Sequence, residues 1–300
     1  MEDKTLFIGN GLNRTLKTSV SWDELMVRLG STEPEGSGVP FPIEFEQIAA
    51  RNGYSVGRRN IDPYKELRSK LVQIIDDADV GYGHIHKAFR DLPFNHFVTT
   101  NYDEAFEKMF EVENSLINPG SSRNILEAIY QSGGHDFYHA HGLCKWKNTL
   151  CLGHEHYATL ISKIRSRFYP GESDIKDKRN YHLKELISRN ATPLGIWPEL
   201  FLTSDVAIVG FGLDYSESDI WWLLALRASL FAPCNHLDNF ENSVTYYKAE
   251  IDAKPLPLQE SCRLNALESL GVQVERVPAR NYEQAYLRIA DMIASNWSNG

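Results

Sequence analysis

Cysteine is scarce in this chain of 300 residues: there are four, at positions 144, 151, 234 and 262, and no two form a Cys-x-x-Cys pair. Their spacing excludes a four-cysteine zinc ribbon and leaves a disulfide framework no pattern to rest on. Basic residues are also in deficit, 31 against 40 acidic ones for a net charge of -9. This argues against a general nucleic-acid surface, because phosphate binding needs clustered lysine and arginine. The densest basic stretches, Lys163-Ile164-Arg165-Ser166-Arg167 and Lys176-Asp177-Lys178-Arg179, read as a solvated helical face and a loop. No apolar run approaches the roughly 20 residues of a membrane helix, and no basic-then-apolar leader opens the chain. The expectation is a cytoplasmic protein without membrane or direct nucleic-acid partners, its cysteines serving as small core residues. Internal repeats and low-complexity segments are missing as well.

What is present, 42% apolar and 24% charged residues, suffices to bury one large core or two modest ones. A first strand is expected at 4–9, followed by a capping-box pattern, Ser21-Trp22-Asp23-Glu24, that opens a helix through Leu29. Residues 30–41, rich in Gly, Pro, Ser and Glu, read as a loop, and helical apolar spacing recurs at 43–50, 63–75 and 83–92. A second insertion spans 143–202, with helices at 155–168 and 181–188. Short β-rich runs at 206–209, 244–247 and 272–277 then alternate with helices at 218–229 and 258–270. This alternation predicts an α/β fold: one doubly wound, Rossmann-like parallel sheet spanning 1–300, with helical insertions at about 24–92 and 143–202. The closing helix places Tyr282, Ala285, Tyr286, Ile289, Met292 and Ile293 on one face, read as core. Of the adjacent Trp221 and Trp222, one is expected to face the core.

Several strands end in residues suited to a ligand, and in open α/β sheets ligands bind beyond the carboxyl ends of the strands. Phe97-Val98-Thr99 stops at Thr100-Asn101-Tyr102-Asp103, where Asn101 and Asp103 either meet a ligand or cap the helix that starts near Glu104. Leu6-Phe7-Ile8 enters a turn in which Gly9 and Gly11 allow close backbone approach to a phosphate, with Asn10, Asn13 and Arg14 offering donors. Phe137-Tyr138-His139-Ala140-His141-Gly142 ends in a histidine–glycine pair, and on a strand His139 and His141 share one face, which leaves the two ambiguous on geometry alone. Val206-Ala207-Ile208-Val209 ends in Gly210-Phe211-Gly212-Leu213-Asp214; Asp214 either binds a ribose or begins the next helix. Tyr247, Lys248 and Glu250 are weaker candidates beyond the 244–247 strand.

In this order the four motifs resemble the sirtuin family, and more closely its bacterial branch that hydrolyses NAD. The likeness runs from residue 4 to about 280. It implies an NAD glycohydrolase that releases nicotinamide and ADP-ribose, as the NAD-depleting effector of an antiphage system. NAD is then a substrate and no metal is required. The resemblance makes Asn101 and His141 the catalytic pair, with His141 preferred over His139. It places Gly9, Asn10, Gly11, Asn13, Arg14, Thr100, Asp103, Gly210, Gly212 and Asp214 around NAD. The absent zinc ribbon, Asn13 in place of the usual serine and Thr100 in place of the usual glutamine depart from the deacylases. The alternatives are an NAD-dependent protein deacylase and a catalytically silent module that senses NAD or ADP-ribose. A hydrolase active at all times would drain its host, so an activating protein partner or homo-oligomer is expected.

Overall fold

A computed structural model describes residues 3–34, 37–51, 64–112, 125–169, 183, 185, 192–231, 242–251 and 256–297. The strands are β1 (Lys4–Ile8), β2 (His96–Thr99), β3 (Tyr130–Ser132), β4 (His135–His139), β5 (Asp205–Val209), β6 (Val244–Ile251) and β7 (Gln273–Ala279). The helices are α1 (Trp22–Leu29), α2 (Phe41–Arg51), α3 (Lys65–Ala78), α4 (His84–Arg90), α5 (Ala105–Phe110), α6 (His154–Phe168), α7 (Trp197–Thr203), α8 (Ser218–Phe231), α9 (Leu258–Ser269) and α10 (Tyr282–Trp297).

The seven strands form one sheet in the order β3-β4-β2-β1-β5-β6-β7, parallel except where β3 pairs antiparallel with β4. Counting the parallel strands alone gives the doubly wound order 3-2-1-4-5-6, as expected from sequence. The order reverses between β1 and β5, so the crevice beyond their carboxyl ends is where such a sheet takes a ligand.

The apolar runs of the central strands are buried on both faces, as parallel strands must be. On one face Phe7, Val98, Tyr138, Val206 and Ile208 pack under α6, α7, α8 and α9. On the other, Leu6, Ile8, Phe97, Phe137 and Val209 pack under α4, α5 and α10. A third cluster, with Leu25, Phe45, Leu71 and Tyr102, sits beyond the sheet edge. It binds α1, α2 and α3 to one another and to the segment around Cys144 and Leu150. Ser21 caps α1 by accepting the Glu24 amide, as its capping-box pattern predicts.

Several elements depart from the expectations. β3 is a three-residue edge strand, too short for periodicity to reveal. β6 runs four residues past the expected end, to Ile251. Tyr282 is not core: it is 45% exposed and stacks on Tyr286 at 6.2 Å. Trp221 and Trp222 are both half-buried; Trp221 donates to the Asp214 carbonyl at 2.9 Å, and Trp222 stacks on Phe168. Cys144 and Cys151 are buried free thiols, whereas Cys262 is exposed, since it lies on the outer side of α9. Cys234, most of the 181–188 helix and the 176–179 basic stretch lie outside the described residues.

Candidate functional site

The loops after β1 and β5 meet at the switch point. Gly11 N–H donates to the Gly210 carbonyl at 2.7 Å and Gly9 N–H to the Val209 carbonyl at 3.0 Å. A Cβ on Gly11 would lie 2.6 Å from the Gly210 oxygen and 2.3 Å from the Tyr286 hydroxyl. Gly210 itself has φ of 64°, a left-handed conformation that costs a non-glycine residue. Gly9, Gly11 and Gly210 therefore let the two loops close on each other. Gly212 differs: nothing lies within 4 Å of the position its Cβ would take.

A cleft of about 330 Å³ opens over these loops, lined by Asn10, Gly11, Arg14, Thr100, Gly210, Gly212 and Asp214 among others. Its size falls in the usual range for small-molecule sites. It is continuous with a neighbouring cavity of about 730 Å³ through Arg14, Ser21, Asp23, Phe41 and Asp214, which line both. Aromatic walls come from Trp22 and Phe41, stacked at 5.4 Å, on one side and from Tyr246, Tyr247, Tyr282 and Tyr286 on the other. The Arg14 guanidinium stands 6.0 Å from the Tyr282 ring. Asn10 is anchored through its amide to the Val20 carbonyl at 2.8 Å, and Asp214 accepts the Ser216 amide at 2.9 Å while keeping its place in the wall. Lys248 lines the cleft and pairs with Glu260, whereas Glu250 pairs with Arg276 outside it.

Three of the sequence-expected ligand residues, Gly9, Asn13 and Asp103, do not line the cleft. Asn13, 1% exposed, donates to Asp103 at 2.8 Å, and its amide oxygen faces His86 Nε2 at 2.9 Å. Asp103 also accepts the Ala105 amide at the start of α5, the capping role weighed above. Gly83 donates to His86 Nδ1, so Nε2 carries the hydrogen that goes to Asn13. Burial lowers the His86 pKa to about 4 and raises that of Asp103 to about 6. This chain of three side chains ties the β1 loop to α4 and α5 behind the cleft.

The two histidines face opposite sides of the sheet, which corrects the expectation that they share one. β4 ends at His139, so strand alternation does not carry through Ala140 to His141. His139 is fully buried, with Nε2 2.8 Å from Glu107 of α5 and Nδ1 3.0 Å from the Asn101 carbonyl. Both nitrogens are satisfied. His141, on the α6–α8 side, has Nε2 3.0 Å from Asp219 and 3.7 Å from Glu217. Tyr157 stands edge-on to its ring at 5.2 Å and donates to Glu217 at 2.9 Å. Burial works against a charged His141, but Asp219 and Glu217 outweigh it and raise its pKa. Burial raises the Glu217 pKa to about 7, and His141 pulls the other way.

Asn101 lies at the end of β2 with its backbone fixed, its N–H donating to the Thr99 hydroxyl at 3.0 Å. Its side chain is 8% exposed and makes no hydrogen bond among the described residues. Its amide atoms are not among the buried side-chain atoms that lack a partner, so the amide is left open to solvent or to a ligand. Neither Asn101 nor His141 lines the cleft; Thr100 and Glu217 stand in its wall in front of them.

The sequence reading missed Glu217 and Asp219. Acidic residues at a helix start ordinarily complement the helix dipole, and nothing in the local pattern marks these two otherwise. It also missed Tyr282 and Tyr286 as cleft walls, because their helical spacing reads as core. Among the described residues, His141, Glu217 and Asp219 are the group with ligand atoms close enough to hold a metal ion, all within 4.8 Å of one another. They form one oxygen-rich corner without cysteine.

Among the described residues no helix is long and apolar enough to cross a membrane. No curated protein matches the chain. Residues 95–221 match the SIR2-like domain family. That stretch begins just ahead of β2 and ends in the first turn of α8, so it carries Asn101, His141, the β5 glycine loop, Glu217 and Asp219. Over this segment the chain is thus similar to the SIR2-like domain, while the β1 loop and the tyrosines of β6 and α10 that complete the cleft lie outside it.

Proposed function

We propose that this protein hydrolyses NAD to nicotinamide and ADP-ribose at the β1–β5 switch point. The observation that carries the reading is Asn101: a side-chain amide at a strand end with no hydrogen bond among the described residues, within the SIR2-like segment that also carries His141, Glu217 and Asp219. The pyridinium of NAD leaves as neutral nicotinamide without protonation, and positive charge builds on the ribose as in glycoside hydrolysis. Asn101 can both donate and accept, which suits it to orient the attacking water or a ribose hydroxyl. The centre of His141, Glu217 and Asp219 holds two carboxylates against one imidazole, a potential that favours a developing cation. The pyrophosphate fits against Gly212 and Arg14, and the adenosine end against Asp214 and the tyrosines of β6 and α10.

Asn101 and His141 lie behind the cleft wall, so turnover requires that wall to open. We take the helical insertions at about 24–92 and 143–202 as the moving elements, as lids commonly are; of the two, the first lines the cleft, through Phe41. Control by a separately encoded protein or by self-assembly in a cytoplasmic, NAD-depleting antiphage effector fits this arrangement. Chromatography of NAD incubated with the protein, with and without an acetylated peptide, tests the reading. ADP-ribose released without the peptide supports hydrolysis. Acetyl-ADP-ribose formed only with the peptide makes it a deacylase, and binding without cleavage under all conditions makes it a sensor.

A further inference from the structure

A second cavity, of about 740 Å³, lies apart from the cleft and its neighbour and shares no described lining residue with either. Its volume is that of a small-molecule site. The walls come chiefly from both helical insertions: the first turn of α3, the 147–151 segment and α6. Among the described residues its charges run against the balance of the chain, with Lys65, Arg68, Lys147 and Lys163 facing Glu155 alone in a protein of net charge -9. Such a concentration of cations attracts anions. Lys163 belongs to the stretch read from sequence as a solvated face, yet it is half-buried, and burial lowers its pKa. The Arg68–His156 pair is an independent sign of an anion. His156 Nδ1 faces the N–H groups of Leu152 at 3.2 Å and Gly153 at 2.9 Å, while Nε2 lies 2.7 Å from the Arg68 guanidinium. Three donors thus converge on one imidazole, which when neutral has a single lone pair, so in either tautomer a ring N–H faces a donor. With Nδ1 accepting from two amides, the hydrogen lies on Nε2 beside the guanidinium, and both residues line the cavity. An anionic oxygen there accepts from both.

We infer that this cavity is a binding site for a polyphosphate chain, free or carried by a nucleotide, and that its ligand bears on His141 and Asn101. The site stands apart from the proposed NAD hydrolysis, whereas a regulatory role rests on that reading. The inner wall of the cavity supplies the coupling. Cys151 lines it, donates its N–H to the His141 carbonyl at 2.8 Å, and accepts the Tyr102 hydroxyl on its own carbonyl at 2.7 Å. Tyr102 directly follows Asn101. Thr149, also in the lining, packs its carbonyl so closely on Gly142 that a Cβ at that glycine would lie 2.3 Å from the oxygen. A ligand that moves the 149–151 segment therefore moves the backbone beside both residues. It shifts their arrangement by as much as it prefers one state over the other.

The test is titration calorimetry of the full chain with ATP and with tripolyphosphate, on wild type, on the double variant Lys65→Glu/Lys147→Glu and on the cleft variant Gly212→Ala. Lys65 and Lys147 are exposed, so the charge reversal should leave the thermal midpoint unchanged; Lys147→Gln is the milder second variant. ATP is expected to bind wild type and Gly212→Ala alike, and to bind the double variant at least about tenfold more weakly, the lower end for losing a hydrogen bond between charged groups. ATP binding tighter than tripolyphosphate identifies a nucleotide as the ligand, and equal binding identifies the phosphate chain alone; either supports the site. Binding of neither probe, or binding that Gly212→Ala weakens and the double variant keeps, overturns it. Coupling is read without turnover. The His141 imidazole NMR signals should move when ATP is added to wild type and stay in place in the double variant, and signals unmoved with ATP bound overturn the coupling. A wild type whose signals move with ATP but which never cleaves NAD, with or without it, overturns the hydrolase reading and leaves the site standing.

Discussion

The glycines at the switch point separate packing from ligand binding, and alanine substitution at two of them distinguishes the roles. At Gly11 an added Cβ would lie 2.3 Å from the Tyr286 hydroxyl, 2.6 Å from the Gly210 oxygen and 2.7 Å from the Gly210 Cα. Tyr286 is 4% exposed at the end of a packed helix face, and the Gly210 atoms are backbone. Relief therefore requires the β1 and β5 loops to part by the better part of an ångström. Overpacking of this kind costs about 1–3 kcal/mol, and the N–H···O bond that Gly11 makes to Gly210 weakens with it. Gly212 lines the same cleft, but a Cβ there meets nothing within 4 Å. Gly212→Ala is expected to stay within about 0.5 kcal/mol of wild-type stability while placing a methyl at the cleft, weakening NAD binding about tenfold, or 1.4 kcal/mol. Urea denaturation gives the first quantity and titration calorimetry with NAD the second. Gly11→Ala of wild-type stability, or Gly212→Ala that unfolds and leaves binding intact, refutes the assignment of the two glycines.

Removing His139 leaves Glu107 buried without its partner, so His139→Ala should lose about 3–5 kcal/mol in urea denaturation; a loss under 1 kcal/mol contradicts its structural role. His86 is held neutral with a pKa of about 4, so the unfolded chain binds the extra proton between pH about 6.5 and 4 and stability falls as pH drops through that window. The full effect is about 3 kcal/mol. Asp103, raised to about 6, opposes it below that pH, so the His86 share is read as the difference between wild type and His86→Gln, which should lose less stability between pH 7 and 5. Elemental analysis should find no zinc held by cysteine, and zinc whose removal unfolds the chain would overturn the spacing argument.

The sheet was legible because its central strands carry short continuous apolar runs that end abruptly in glycine or polar residues, a pattern that both-face burial imposes on sequence. β3 was not, since three residues, Tyr130, Gln131 and Ser132, carry no period. The strand ends that bear Gly9, Asn101, His141 and Gly210 could be placed from their motifs. What each side chain touches could not, because partners such as Glu107 of α5, Asp219 of α8 and Glu217 just before α8 lie 32 to 78 positions away in the chain. Asn13 and Asp103 illustrate this: each looks like a ligand donor beside its motif, yet they bond to each other. Tyr282 and Tyr286 show the converse, a helical stripe that reads as core until the curvature of the cleft exposes one end of it.

The central claim is that Asn101 serves the cleavage of NAD rather than the fold. The direct measurement is ADP-ribose release by wild type and Asn101→Ala at saturating NAD, with NAD affinity and thermal midpoint measured on the same samples. Because the Asn101 amide has no protein partner among the described residues, the variant is expected to fold and bind NAD as wild type does and to lose at least 100-fold in turnover, the lower end of a general catalytic contribution, about 10²-fold. Wild-type turnover by Asn101→Ala, or a loss of activity matched by loss of folding, would contradict the account.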